Sequence, residues 1–270
     1  MPITNNEITI MPITTFGSKE QAQFAHDGYL RLGRIISTEC LQALCDRIDA
    51  IMLGEICYEG MRMQLDTTTA NYQDMPAALT AGQSATLSYR RIDDLERDSL
   101  FLNYMQRPLF REITRTFIGT EVSIFRAMFM NKPAEQGTPL PWHQDVGIGW
   151  GLDSNPKVTI WTALDPATVA NGCMQIVPGS HKLGVLNEGH YTSEADQARY
   201  ATETDCFYLK AEPGEAILLH NFLLHRSGVN GTGLPRRAFS TAYMDAATRT
   251  VKTGETFPVI FGEQALAVTS

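Results

Sequence analysis

Apolar residues recur at helical spacing early in the chain. In TECLQALCDRIDAIM, Leu41, Leu44, Ile48 and Ile51 follow at intervals of three, four and three, which stacks them on one helix face, and Ser37 or Thr38 supplies a cap. A second helix is predicted from Pro108, admissible in a first turn, with Phe110, Ile113 and Phe117 on one side and Gly119 at its end. On this pattern the first half reads as helical. From about residue 121 the period changes: EVSIFRAMFM, KVTIWTAL, CMQIVPGS, DCFYLKAEPG, EAILLHNFLLH and RRAFSTAYMD are short runs rich in Val, Ile, Phe and Thr, separated by Pro and Gly. That is the texture of short strands joined by turns. Helices followed by strands predict an α+β, mainly β, single domain over residues 1–270, with helical support over about 17–120 backing a jelly-roll core over about 121–245. Residues 57–88 show neither period, so the segment is either a lid, placed at 57–75, or a plain surface excursion.

Composition acts mainly by exclusion. With 43% hydrophobic and 19% charged residues the chain has the balance of a folded domain with a substantial core. Lys and Arg number 22 against 30 Asp and Glu, a formal charge of -8, and the basic residues are scattered, which excludes the basic footprint of a nucleic-acid binder. No apolar run approaches the length of a membrane span and no charged-then-apolar leader opens the sequence, so no membrane partner and a cytoplasmic location are expected. Cys40, Cys45, Cys57, Cys173 and Cys206 are odd in number and lack CxxC spacing, and they read as reduced thiols. A small-molecule partner remains; the oligomeric state is not legible.

Of the six histidines, only His143 stands in an HxD pattern, within PLPWHQDVG. On an extended segment residues i and i+2 share a side, so His143 and Asp145 would present an imidazole and a carboxylate to one point. HxD alone is a weak signal that a polar turn between prolines also explains. A third ligand is available in GEAILLHNFLLHRSGVN, where His220 and His225 both end an apolar strand. Two histidines and one carboxylate form a facial triad, which leaves three positions on octahedral iron(II), two for a chelating 2-oxo acid and one for O2; a structural zinc site would be closed by four ligands. His225 is preferred because Arg236 lies 11 residues beyond it, in PRRAFSTAY. A hairpin through GVNGTGLP would return that arginine beside His225, where its guanidinium would grip the distal carboxylate of 2-oxoglutarate in a bidentate pair, with Arg237 facing away. An ordinary surface arginine fits the same spacing.

The combination of HQD, WTALD, NGC with PGSH, HRSGVN and the arginine 11 residues past the histidine resembles the phytanoyl-CoA dioxygenase family of iron(II)- and 2-oxoglutarate-dependent oxygenases, over roughly residues 121–245. FAHDGYLRLGRIIS and YRRIDDL are similar to that family's amino-terminal half more loosely. The resemblance implies a cupin-like double-stranded β-helix with His143, Asp145 and His225 on iron and Arg236 on the co-substrate. It also implies that Gln144 and Trp161 line the 2-oxoglutarate pocket, that Met128 flanks it, and that Arg91 is a basic residue of that pocket. Bland alternatives are a core aromatic for Trp161 and a gap-filling residue for Met128. The NGC and PGSH pieces look structural, and His181 reads as a packing residue.

The chemistry so implied consumes 2-oxoglutarate and O2, yields succinate and CO2, and oxidises an unactivated C–H bond. Related halogenases replace the carboxylate ligand with a small residue; Asp145 keeps it, so hydroxylation is expected rather than halogenation. A small polar metabolite is the expected substrate, and Arg62, Arg90, Trp150 and Asp153 are placed near the cavity mouth, with solvated surface as their alternative. Two other classes remain: a non-catalytic jelly-roll binding protein and a cupin-type isomerase or hydrolase using another divalent metal.

Overall fold

The computed structural model describes residues 11–69, 71–80, 84–135, 137–187 and 189–268. In chain order its elements are α1 (Ser18–Asp27), β1 (Tyr29–Arg34), α2 (Thr38–Met52), β2 (Met63–Leu65), β3 (Tyr89–Ile92), α3 (Ser99–Met105), α4 (Pro108–Phe117), β4 (Val122–Lys132), β5 (Leu140–His143) and β6 (Val158–Ala163). They continue with β7 (Met174–Ile176), α5 (Glu194–Tyr200), β8 (Phe207–Leu209), β9 (Glu215–His220), β10 (His225–Ser227), β11 (Arg236–Asp245) and β12 (Val259–Phe261), with short 3-10 turns between. The two helices predicted from periodicity are α2 and α4. Ser37 caps α2 by accepting from the Cys40 amide, and Leu41, Leu44, Ile48 and Ile51 are buried. In α4, Pro108 sits in the first turn and Phe110 and Ile113 are buried.

Two antiparallel sheets face each other. The larger runs β1-β9-β6-β11-β4-β3-β2 with β12 beside β4; the smaller runs β5-β10-β7-β8. Side chains alternate along the larger sheet as strand geometry requires. Ala127, Phe129, Ile160, Leu218 and Phe239 point to a core shared with the helices. Trp161, Ala163, Ile217, Leu219 and Ala238 point the other way, to a second core shared with Cys173, Met174 and Ile176 of the smaller sheet. The helices therefore back one sheet of a jelly roll, and the interior between the sheets is left for a site.

Two expectations need correction. The amino-terminal half is not purely helical, because β1, β2 and β3 all join the larger sheet, and β12 extends it beyond residue 245. Six- and four-residue strands carry too few periods to stand out from sequence. Nor do β10 and β11 form a hairpin: β10 pairs with β5 and β7 in the smaller sheet, while β11 pairs with β4 and β6 in the larger one. Residues 228–235 are thus a crossover between sheets, held by the buried Asn230, whose Nδ2 donates to the carbonyls of Lys132, Pro133 and Leu234. No helix among the described residues is long and apolar enough to cross a membrane.

Candidate active site

β5 and β10 are antiparallel neighbours in the smaller sheet, and the register sets His225 directly opposite His143, their ring centroids 4.1 Å apart. Asp145 follows two residues after His143, its amide donating to the Asn221 carbonyl at 2.8 Å while Asn221 Nδ2 donates back to the Asp145 carbonyl. Ligand atoms of His143, Asp145 and His225 lie within 4.8 Å of one another. Asp145 Oδ1 is 3.8 Å from His143 Nε2, and Oδ2 is 3.7 Å from His225 Nε2.

Both rings are oriented from behind. His143 Nδ1 is 2.8 Å from the Pro141 carbonyl and His225 Nδ1 is 2.9 Å from the Leu223 carbonyl. A carbonyl can only accept, so each Nδ1 donates and each Nε2 is left facing the carboxylate, the orientation a metal requires. Burial pushes the His143 pKa down to about 3, helped by neighbouring His225 and opposed by Asp145, so the ring is neutral. Two imidazoles and one half-buried carboxylate fit a divalent metal with open positions.

The second feature is a pair of buried cations. Arg236 opens β11 opposite Lys132, the last residue of β4, and both are about 95% buried, with relative exposures of 4% and 5%. The Arg236 guanidinium donates one hydrogen bond, from Nη2 to the Gly172 carbonyl at 3.1 Å, and its Nε has no partner. Lys132 Nζ donates to the Thr138 carbonyl. Among the described residues no carboxylate forms an ion pair with either. Burial pushes the Arg236 pKa down to about 10, and it lowers Lys132 well below its usual range, with Arg236 adding to the effect. Around them Arg90, Met130, Thr138, Leu140 and Ser227 line one cavity. Uncompensated buried charge of one sign is costly unless a counter-ion arrives, so this cavity fits an anionic co-substrate.

The residues expected here fall differently. Trp161 of β6 is buried between Ser240 and Ile217, and Met128 stands opposite Ser240, so both lie on the inward face of the larger sheet. Gln144 does not face the cavity: its Nε2 donates to the carbonyls of Gly184 and Phe222 and its Oε1 accepts from the Leu186 amide. Strand alternation, which puts His143 and Asp145 on one side, sends the residue between them to the other. Arg91 is bound to Asp93 at 2.7 Å, while its neighbour Arg90 lines the cavity and stacks over Tyr72 at 4.9 Å. Arg62, half exposed, lies 3.5 Å from Asp93 and from Asp94. Trp150 packs on Phe125 at 4.7 Å. Asp153 is exposed and accepts from the Arg249 amide, which commits it to a loop contact. His220 lies against Phe24, Phe222 and His181, outside the triad. Sequence reasoning missed Lys132 and Ser227, because the NKP segment reads as a turn and HRS as part of the ligand motif. It also missed Tyr191, whose ring stands 6.3 Å from His143 and 5.3 Å from Tyr72 in the 57–88 segment.

A jelly roll carrying a His-Asp-His triad beside a buried anion cavity defines a mononuclear iron(II)- and 2-oxoglutarate-dependent oxygenase, a class that draws on O2. The chain belongs to the phytanoyl-CoA dioxygenase family, whose model matches residues 24–238. It is 27% identical over 241 residues to a probable phytanoyl-CoA dioxygenase of Caenorhabditis elegans, covering 84% of this chain and 75% of the relative. It is 24% identical to the ectoine dioxygenase of Sphingopyxis alaskensis, covering 93% and 82%. The solved structure of EctD from S. alaskensis with 2-oxoglutarate and 5-hydroxyectoine matches the fold with a TM-score of 0.70 at 20% identity, over 97% of this chain and 89% of that one.

Proposed function

We propose that the protein hydroxylates an unactivated C–H bond of a small polar metabolite while 2-oxoglutarate is decarboxylated to succinate. The observation that carries this reading is the juxtaposition of the two Nε2 atoms and the Asp145 carboxylate with the buried pair Arg236 and Lys132, which among the described residues make no ion pair. His143, Asp145 and His225 would hold iron(II). Arg236 would take the distal carboxylate of 2-oxoglutarate through a charge-assisted fork, with Lys132 supplying a second positive charge and Ser227 a hydroxyl donor. Iron with 2-oxoglutarate and O2 supplies the oxidising power for C–H cleavage. The chain's own contribution is placement: carbonyls behind both imidazoles fix the ligand tautomers, and Met128 and Trp161 form the apolar wall of the co-substrate pocket. Tyr191 and Tyr72 shield the His143 side from water. Because Asp145 fills its ligand position, the reaction is hydroxylation and not halogenation.

Two features favour a compact substrate over an acyl-CoA. Two of the basic residues on this side, Arg62 and Arg91, are already paired with Asp93 and Asp94, which weakens the hold available for a polyphosphate headgroup. The net charge of -8 disfavours one further.

The test is succinate formation by protein loaded with iron(II) anaerobically and then exposed to O2, across amino acids, phosphonates and acyl-CoAs, with Asp145→Ala and Arg236→Ala in parallel. Iron-dependent succinate formation in the parent that falls at least about a hundredfold in both variants is the expected result, the loss of a charged ligand or of a bidentate pair being worth several kcal/mol. Variants indistinguishable from the parent would return the site to the binding-protein class. Stimulation by acyl-CoAs alone would overturn the choice of substrate.

A further inference from the structure

Arg126 lies in the amino-terminal half of the same strand that carries Lys132, and nothing in the roles assigned so far uses it. The β4/β11 register slips between Ala242 and Tyr243: Ala242 pairs with Arg126 and Tyr243 with Ile124, leaving Phe125 as an extra residue. Such a bulge re-aims side chains. Ile124 and Ala127 point to the helix-backed core, and Phe125 and Arg126, between them, are both off it. The Arg126 guanidinium lies 4.6 Å from the Phe125 ring centroid and 4.9 Å from that of Trp150. Phe257 extends this aromatic wall, 5.7 Å from Phe125.

The charges around Arg126 do not balance. Arg91, Asp93, Asp145 and Arg62 are the ionic groups that act on it, and burial disfavours its charge. Asp93 is bound to Arg91 and lies 3.5 Å from Arg62, which also reaches Asp94, so those two carboxylates are taken up by two other guanidiniums. The remaining carboxylate, Asp145, belongs to the triad. Among the described residues the Arg126 guanidinium makes no hydrogen bond and no ion pair, in contrast to those of Arg31, Arg47, Arg91 and Arg237, which are all paired. Ring faces hold its position and leave its N–H groups available to a ligand.

We propose that Arg126 is the specificity-determining residue for the substrate of this oxygenase: it docks a carboxylate of a small acid whose body lies along Phe125 and Trp150, beside the metal site. This rests on the oxygenase reading and adds the substrate's charge to it. The cation is separate from Arg236, six and more residues away along the sheet and committed to the co-substrate, so the two anions occupy different positions.

The test uses phenylacetate and its isosteric neutral partner phenylacetamide, titrated calorimetrically into protein loaded with manganese(II) and saturating 2-oxoglutarate under nitrogen, so that the co-substrate cations are occupied and no turnover occurs. The parent is expected to bind the acid at least about tenfold more tightly than the amide, a charge-assisted pair being the difference. Arg126→Gln should abolish the preference and Arg126→Lys should restore part of it. No binding of phenylacetate to the parent, equal binding of acid and amide, or a preference that survives in Arg126→Gln each overturns the proposal. A separate titration of the metal-loaded parent with 2-oxoglutarate reads the oxygenase assignment: acid preference without co-substrate binding would sink that assignment and leave Arg126 as an anion site.

Discussion

Glu96 shows how burial alone sets the behaviour of a charged side chain. Its Oε2 is buried without a partner among the described residues, and desolvation raises its pKa from 4.5 to about 7, with Asp94 and Asp93 adding to the shift. A carboxyl with a raised pKa binds its proton more tightly in the folded state. The stability it contributes is therefore complete below pH 4.5 and is lost as pH rises through about 7. Glu96→Gln, which removes the charge and keeps the shape, is expected to stabilise the protein by about 1–2 kcal/mol at pH 8.5 and to leave it unchanged near pH 4. Urea unfolding at both pH values checks this, and an equal effect at the two would refute it. The same physics explains what could be read one residue at a time. His143 and Asp145 were legible because HxD combines ligand chemistry with strand alternation, whereas Lys132 looked like a surface lysine in a turn. Only the length of β4, which carries the strand through Lys132, shows that it is buried.

At the scale of elements, the site depends on turns that only particular residues can make. Gly172 has φ +76°, and a Cβ there would stand 2.4 Å from the Gly228 carbonyl oxygen; its own carbonyl accepts from Arg236. Gly172→Ala is expected to cost about 2–3 kcal/mol through combined strain and overlap. Because the displaced carbonyl anchors Arg236, 2-oxoglutarate affinity should fall as well. Thermal melting and a 2-oxoglutarate titration of the variant provide the check, and an unchanged melting temperature would show that the turn relaxes. NGC was legible as a turn, but its approach to the 228–229 backbone was not, since that contact joins segments some 55 residues apart. Bulges were equally hidden. One extra residue at Arg90 lets both Arg90 and Arg91 leave the core between buried Tyr89 and Ile92, and no sequence period records it.

For the whole molecule, two buried basic side chains without an ion pair among the described residues mean that, on the proposed reading, 2-oxoglutarate would complete the folded state. A ligand that binds only the native protein stabilises it by about 2.7 kcal/mol at a hundred times its dissociation constant. Lys132→Met should raise the melting temperature of the ligand-free protein, because it removes a charge that burial disfavours, and should shrink the increment that 2-oxoglutarate adds. Scanning fluorimetry of parent and variant, with and without 2-oxoglutarate and manganese(II), separates the two effects; a variant less stable than the parent when ligand-free would contradict the argument. The jelly roll backed by helices was visible in the change from helical to short-strand texture. The amino-terminal strands and the destination of the 228–235 segment were not, since both depend on pairings between distant parts of the chain.

That crossover gives the spacing between His225 and Arg236 a meaning different from that of a turn. Sheets in a sandwich lie about 10 Å apart, whereas eight extended residues reach up to about 28 Å. The segment therefore has slack, and Asn230 takes it up: besides its three donated bonds, its Oδ1 accepts from the amide and hydroxyl of Thr232. The connection works as a caliper whose setting is locked by one amide side chain, and the distance it holds is that between His225, the proposed metal ligand, on one jaw and Arg236, the proposed co-substrate cation, on the other.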